Sequence, residues 1–133
     1  MKLSLLSILA CPVCGGELKF AVLEAYPRHD TEVEEATLAC KQCALEYPVS
    51  GGVPRLRPPS PVARATAKTR EAFGWEWLRY PGSLPGDQET FLEETMLPAH
   101  EFAGHLVLDA GCGMGRYSAV ALALGAEVVA VDM

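Results

Sequence analysis

The sequence predicts an α/β chain in two pieces: a small β-rich domain closed on a metal ion, then a helical connector leading into the first β-α-β unit of a doubly wound sheet. Three observations carry this prediction. Two Cys-x-x-Cys pairs, Cys11/Cys14 and Cys40/Cys43, are separated by 25 residues. Such pairs fold as tight knuckles whose thiolates converge on one tetrahedral ion. Pro54, Pro58, Pro59 and Pro61 fix φ and interrupt regular hydrogen bonding, which marks a boundary. Finally, the apolar run Leu106-Val107-Leu108 enters the glycine-rich turn Asp109-Ala-Gly111-Cys-Gly113-Met-Gly115, a helical pattern from Tyr117 to Leu124 closed by Gly125, and a second strand from Glu127 to Asp132. The expected divisions are residues 1–57 for the metal domain, 58–103 for the linker and helical lead-in, and 104–133 for an incomplete sheet domain.

Within the first piece, Phe20 to Leu38 spans the gap between the cysteine pairs as a long hairpin, with Asp30, Glu32, Glu34 and Glu35 at an acidic tip. So small a piece buries too little apolar surface to fold alone, and structural zinc supplies ~10 to 16 kcal/mol of apparent binding free energy. Disulfides are the competing reading of the cysteines, and they are uncommon in a reducing compartment. The Cys-Pro-x-Cys-Gly segment also resembles an iron-binding rubredoxin knuckle. The second knuckle has Ala44 where that pattern has glycine, and no Trp-rich core accompanies it, so zinc is favoured over iron.

In the connector, residues 62–80 read as a helix with Phe73, Trp77 and Tyr80 on one face, ended by Pro81 and Gly82. Those aromatics either pack on the sheet domain or form a lid over a ligand. Asp87 reads as the N-cap of a second helix running through Phe91, Leu92 and Met96 to Leu97, with Pro98 stopping it. Glu89, Glu93 and Glu94 read as a solvated helix face, and His29, His100 and His105 as surface residues without ligand spacing. Arg55, Arg57, Arg64, Lys68 and Arg70 make the linker basic, but no aromatics interleave with them as nucleic-acid binding would favour.

The glycine turn is the second candidate site. Glycines at 111, 113 and 115 allow positive φ and close backbone approach to a ligand at a helix N-terminus. A dinucleotide fingerprint would place glycine at 116 for helix packing; Arg116 stands there, so a diphosphate is disfavoured. Asp109 ends one strand beside the turn and Asp132 ends the next, suited to an ammonium and to ribose hydroxyls respectively. Two acids without a diphosphate signature suit a cationic nucleoside. Cys112, flanked by glycines and lacking a basic partner, reads as a small residue that fits the turn, not as a nucleophile.

The run LDAGCGMGR followed by VVAVD resembles the first motif and second-strand acid of class I S-adenosylmethionine-dependent methyltransferases. The resemblance implies a Rossmann-like fold in which Gly111, Gly113 and Gly115 line the methionine moiety, Asp109 faces its amino group and Asp132 binds the ribose. It further implies that the chain is the N-terminal part of an enzyme that transfers the sulfonium methyl by in-line displacement. The residues that position the acceptor would lie beyond residue 133, leaving the isolated chain inactive. The acceptor, a small molecule or RNA, stays open.

Leu6 to Cys14 and Glu46-Tyr-Pro-Val-Ser-Gly-Gly-Val-Pro-Arg-Leu-Arg57 together resemble the small zinc-ribbon proteins that activate tRNA and rRNA methyltransferases. This second resemblance implies a module that stabilises a partner or presents a substrate. It supports an alternative to the enzyme: a non-enzymatic ribbon that docks a partner methyltransferase or RNA. A formal charge of −6 gives no general attraction to phosphate backbones. No apolar segment approaches membrane-spanning length, so no membrane partner and a cytoplasmic location are expected.

Overall fold

A computed structural model describes residues 1–23, 32–58 and 82–132. The chain divides into two compact units, Met1–Pro61 and Val62–Met133.

In the first unit a 3-10 turn (Leu3–Ser7) precedes four strands, β1 (Leu18–Leu23), β2 (Ala36–Cys40), β3 (Glu46–Ser50) and β4 (Val53–Pro54). They form one antiparallel sheet in the order β1-β2-β3-β4. The hairpin expected from Phe20 to Leu38 is formed by β1 and β2 with those two residues opposite one another, and a register irregularity falls between Phe20 and Val22. Of its acidic tip, Asp30 lies outside the described residues, whereas Glu32, Glu34 and Glu35 are described.

Strict alternation organises β3: Tyr47 and Val49 point into the core while Glu46, Pro48 and Ser50 face out. Gly51 and Gly52 join β3 to β4 with φ of 55° and 76°. A two-residue hairpin turn of type I′ needs positive φ at both central positions, which glycine adopts without a steric penalty. Leu18, Val33, Leu38, Tyr47 and Val49 are almost completely buried, and Met1, Cys11, Ala36 and Cys40 complete the core with Leu5, Leu6, Leu9, Phe20, Leu45 and Leu56 packed against it. Cys11 and Cys40 are therefore core residues, so the metal site and the apolar core form one packed body.

The second unit contains α1 (Asp87–Thr95), a 3-10 turn (Ala99–Glu101), β5 (Leu106–Ala110), α2 (Arg116–Ala123) and β6 (Glu127–Val131). β5 and β6 pair in parallel, with Leu106 opposite Glu127 and Ala110 opposite Val131. Phe91, Phe102, Ala121 and Ala126 form its core, flanked by Val107, Tyr117, Val120 and Val128. The Phe91 ring lies 5.0 Å from that of Phe102 and 5.6 Å from that of Tyr117, which holds α1 against α2. Among the described residues this is one β-α-β unit, which falls short of the Rossmann-like sheet implied by resemblance.

The helix boundaries differ from expectation for local reasons. Asp87 is the first residue of α1 and not its cap; Gly86 precedes it at φ 87°, and the Asp87 carboxylate accepts a hydrogen bond from the Leu84 amide at 2.7 Å. The helix ends at Thr95, short of Leu97, because Met96 turns left-handed at φ 55° ahead of Pro98, which cannot extend a helix. The expected helix over 62–80, with Phe73, Trp77 and Tyr80, lies outside the described residues.

Candidate metal centre

Both knuckles use the same backbone device. In the first, the Cys11 carbonyl accepts from the Gly15 amide (2.8 Å) and the Cys11 amide donates to Gly16 (2.8 Å); in the second, Cys40 accepts from Ala44 (3.1 Å) and donates to Leu45 (2.9 Å). The fifth position of each knuckle is left-handed, Gly15 at φ 72° and Ala44 at φ 58°. An L residue there is strained by roughly 1–2 kcal/mol, so the second knuckle holds Ala44 against its preference.

The sheet then brings the knuckles together. Leu18, just after the first, pairs with Cys40, the start of the second. The four sulfur atoms of Cys11, Cys14, Cys40 and Cys43 all lie within 4.8 Å of one another. Cys11 Sγ is 3.6 Å from Cys43 Sγ, and Cys14 Sγ is 3.4 Å from Cys40 Sγ. A tetrahedral zinc with Zn–S bonds of ~2.3 Å has sulfur–sulfur edges of about 3.8 Å, so the donors present fit that ion. Four thiolates would also close the coordination shell, leaving no open position for water or substrate.

Two further residues shape the centre. The Tyr47 hydroxyl lies 3.1 Å from Cys11 Sγ, deep in the core. A Cβ added to Gly16 would come within 2.9 Å of Cys40 Sγ and 3.0 Å of Gln42 Cδ, so only glycine fits beside that sulfur. Neither residue was singled out from sequence. Tyr47 belongs to the aromatic-Pro-apolar stretch of the activator-like pattern, but its reach to Cys11 depends on non-local strand register.

The thiols do not ionise alike. The hydroxyl of Tyr47 holds the Cys11 thiol down at about 6, against the opposing effect of burial. Cys40 is also lowered, first by the Cys43 amide and against burial. Cys14 is raised to about 12: the Gly16 amide pulls downward, but Cys40, burial and the other two sulfurs outweigh it. In Cys43 the Leu45 amide is likewise outweighed, by burial and Cys40, and the thiol is raised. Tyr47 itself is raised by Cys11. Without a metal, each knuckle thus pairs one thiolate-favouring sulfur, Cys11 or Cys40, with one thiol-favouring sulfur, Cys43 or Cys14, on the other knuckle.

The glycine turn of the second unit gathers the other sequence candidates. Gly111, Gly113 and Gly115 have φ of 83°, 54° and 84°. The Gly111 and Cys112 amides donate to the Val131 carbonyl. Asp132 accepts from the Gly113 amide at 2.6 Å, and Asp109 from the Ser118 hydroxyl at 2.6 Å. Both acids therefore lie at the turn with carboxylate oxygens engaged by the chain itself. Buried Asp87 binds Arg116 through both Nε (2.7 Å) and Nη2, and Arg116 also lies over the Tyr117 ring. Burial, with Asp109 and Asp132 nearby, raises the Cys112 thiol, which keeps it protonated. Glu89, Glu93 and Glu94 are exposed, as are His100 and His105; His29 lies outside the described residues. Among the described residues, no helix is long and apolar enough to cross a membrane.

Comparison with known proteins places the similarity on the first unit. Residues 2–52 match the model of the Trm112p-like protein family. A UPF0434 protein of Methylobacillus flagellatus is 37% identical over 54 residues, 41% of this chain and 72% of the relative. A UPF0434 protein of Hahella chejuensis is 41% identical over 54 residues with the same coverage, and one of Vibrio vulnificus is 44% identical over 55 residues, 41% of this chain and 75% of the relative. Among solved structures, a chain from a complex of the Haloferax volcanii Trm112 methyltransferase activator is 36% identical with a TM-score of 0.39, covering 44% of this chain and 95% of that one.

These matches correct the expectation that the chain is itself an S-adenosylmethionine-dependent methyltransferase. The family match falls on the cysteine-bearing sheet and not on the glycine turn, and the relatives aligned there carry the name UPF0434 protein. Physically, four sulfur donors would fill the shell of a tetrahedral ion and leave no position on it for a substrate.

Proposed function

Because this chain belongs to the Trm112p-like family through residues 2–52, we propose that its first unit is a non-catalytic zinc ribbon that binds and supports a partner methyltransferase. The observation that carries this reading is the four-thiol cluster inside the matched residues. Cys11, Cys14, Cys40 and Cys43 would hold the ion, and the ion would supply fold stability, since a site of this kind couples metal binding to folding. Leu3, Ile8 and Val13, in the segment that leads into and through the first knuckle, are exposed apolar side chains that a protein partner could cover. The methyl acceptor, small molecule or RNA, then belongs to the partner's chemistry.

The second unit supports a companion reading. The turn at Gly111, Gly113 and Gly115, with Asp109 and Asp132 beside it, suits the cationic nucleoside S-adenosylmethionine better than a phosphorylated ligand. Calorimetry with S-adenosylmethionine on the full chain, wild type against Asp132→Ala, tests it: equal heats of binding would remove Asp132 from the site.

For the ribbon, the full chain is loaded with zinc, immobilised and exposed to extract from its own source, and bound proteins are identified by mass spectrometry. A methyltransferase retained by the zinc form and not by Cys11→Ser, and re-forming the complex from purified components, supports the reading. Equal retention by the variant, or no methyltransferase at all, refutes it.

A further inference from the structure

The four cysteines differ in exposure. Cys14 and Cys43 are exposed, whereas Cys11 and Cys40 are buried. The sulfur of each exposed cysteine contacts that of a buried one across the knuckles, Cys14 with Cys40 at 3.4 Å and Cys43 with Cys11 at 3.6 Å. Forming an S–S bond of about 2.05 Å from either contact needs an approach of only about 1.4 to 1.6 Å.

We propose that the ribbon is a peroxide-responsive switch: oxidation of the four-sulfur centre joins Cys14 to Cys40 and Cys11 to Cys43, the pairs already in contact when no ion spreads the sulfurs, and leaves no thiolate to hold a metal. The inference rests on the zinc reading above and adds regulation to that site. An oxidant arriving from solvent meets Cys14 or Cys43 first. The exposed thiolate attacks one peroxide oxygen, the O–O bond breaks, and hydroxide leaves to become water on taking a proton; the sulfur is now a sulfenic acid. The buried thiolate on the other knuckle then attacks that sulfur, the S–O bond breaks, and a second hydroxide leaves to be protonated. Each disulfide thus passes two electrons to one peroxide and consumes two protons. Two disulfides consume all four donors, and zinc has no ligand left. Because the resolving sulfur is already in contact, the sulfenic acid is captured before irreversible oxidation, and a dithiol reductant restores the site.

The pairing distinguishes this switch from the Cys11–Cys14 and Cys40–Cys43 bridges that the Cys-x-x-Cys spacing alone would suggest. Zinc content of the full chain is measured first. Stoichiometric hydrogen peroxide is then added in the presence of a chromophoric zinc chelator, free thiols are alkylated, and tryptic peptides are sequenced by tandem mass spectrometry. Cleavage after Lys41 places Cys40 and Cys43 on different peptides, and Cys112 serves as the reference thiol. The expected result is one zinc released for two peroxides, cross-knuckle linkage, an alkylated Cys112, and recovery of zinc binding after reduction. Bridges within the knuckles, Cys11–Cys40 linkage, or sulfonic acids without disulfides would overturn the switch while leaving the metal reading intact. Absence of zinc at the outset would overturn both.

Discussion

Replacing Gly16 by alanine tests how tightly the metal centre is packed. The added methyl would sit 2.9 Å from Cys40 Sγ and 3.0 Å from Gln42 Cδ, inside ordinary van der Waals contact. Gln42 is flexible and can swing aside. Cys40 cannot, because its strand pairing with Leu18 and its bonds to Ala44 and Leu45 fix the backbone. Overpacking of this kind costs about 1–3 kcal/mol, equivalent to roughly a five- to 150-fold loss of zinc affinity if it falls on the metal-bound geometry. Gly15→Ala is the control. Its Cβ would meet nothing within 4 Å, but its φ of +72° makes any side chain strained by roughly 1–2 kcal/mol whether or not metal is present. Competition titration against a chromophoric chelator, with thermal unfolding of metal-free and metal-loaded protein, separates the two variants. Gly16→Ala should lose most of its stability in the loaded state and Gly15→Ala similarly in both. Zinc affinity of Gly16→Ala within twofold of wild type would refute the idea that this glycine exists to admit a ligand sulfur.

Other consequences follow from the same centre and its neighbours. Tyr47→Phe removes the hydroxyl beside Cys11; zinc affinity should fall by roughly tenfold or more, as for other outer-shell partners, and the ultraviolet thiolate signal of metal-free Cys11 should titrate well above the wild-type value of about 6. Because the folded pKa of Cys11 is depressed, its contribution to metal-free stability is full above the unfolded thiol value and is lost as pH falls toward about 6. With Cys14 raised to about 12 and Cys43 raised as well, zinc binding near pH 8 should release at least the protons of Cys14 and Cys43, and more as pH drops and Cys11 protonates; calorimetry in buffers of different ionisation enthalpy measures this. Ala44→Gly should raise the stability of the loaded ribbon by up to ~1 kcal/mol in denaturant titration, since it relieves a left-handed alanine. In the second unit, Asp87→Asn should lower the melting temperature at neutral pH and have little effect at a pH low enough to protonate Asp87, whose carboxyl Arg116 holds below the usual range.

The cysteine pairs were legible because metal-ligand chemistry is written in local spacing, and the β1–β2 hairpin because that spacing left one strand-length on either side of a polar tip. The glycine turn was legible for a similar reason: left-handed backbone at 111, 113 and 115 demands a particular residue type. What sequence could not supply was anything set by register or by packing between distant segments. Tyr47 reaches Cys11 only because β2 and β3 pair as they do, with Leu38 opposite Tyr47. Arg116 looked like a missing glycine and Asp87 like a helix cap, yet they are partners across 29 residues. Ala44 was read only as an argument against iron, whereas the fold uses it in the same left-handed position as Gly15. The enzyme reading failed for a different reason: a ligand-loop motif is a local feature, and it does not by itself carry a reaction.

The central claim, a metal-held module that acts through another protein, is tested most directly by the initial rate of methyl transfer from S-adenosylmethionine with the captured methyltransferase. The rate is measured for the chain alone, the partner alone and the two together. The account predicts no transfer by the chain alone, a rate for the mixture several-fold above that of the partner, and loss of the increment when zinc is stripped beforehand. Transfer by the chain alone, or a mixture no faster than the partner, would contradict it.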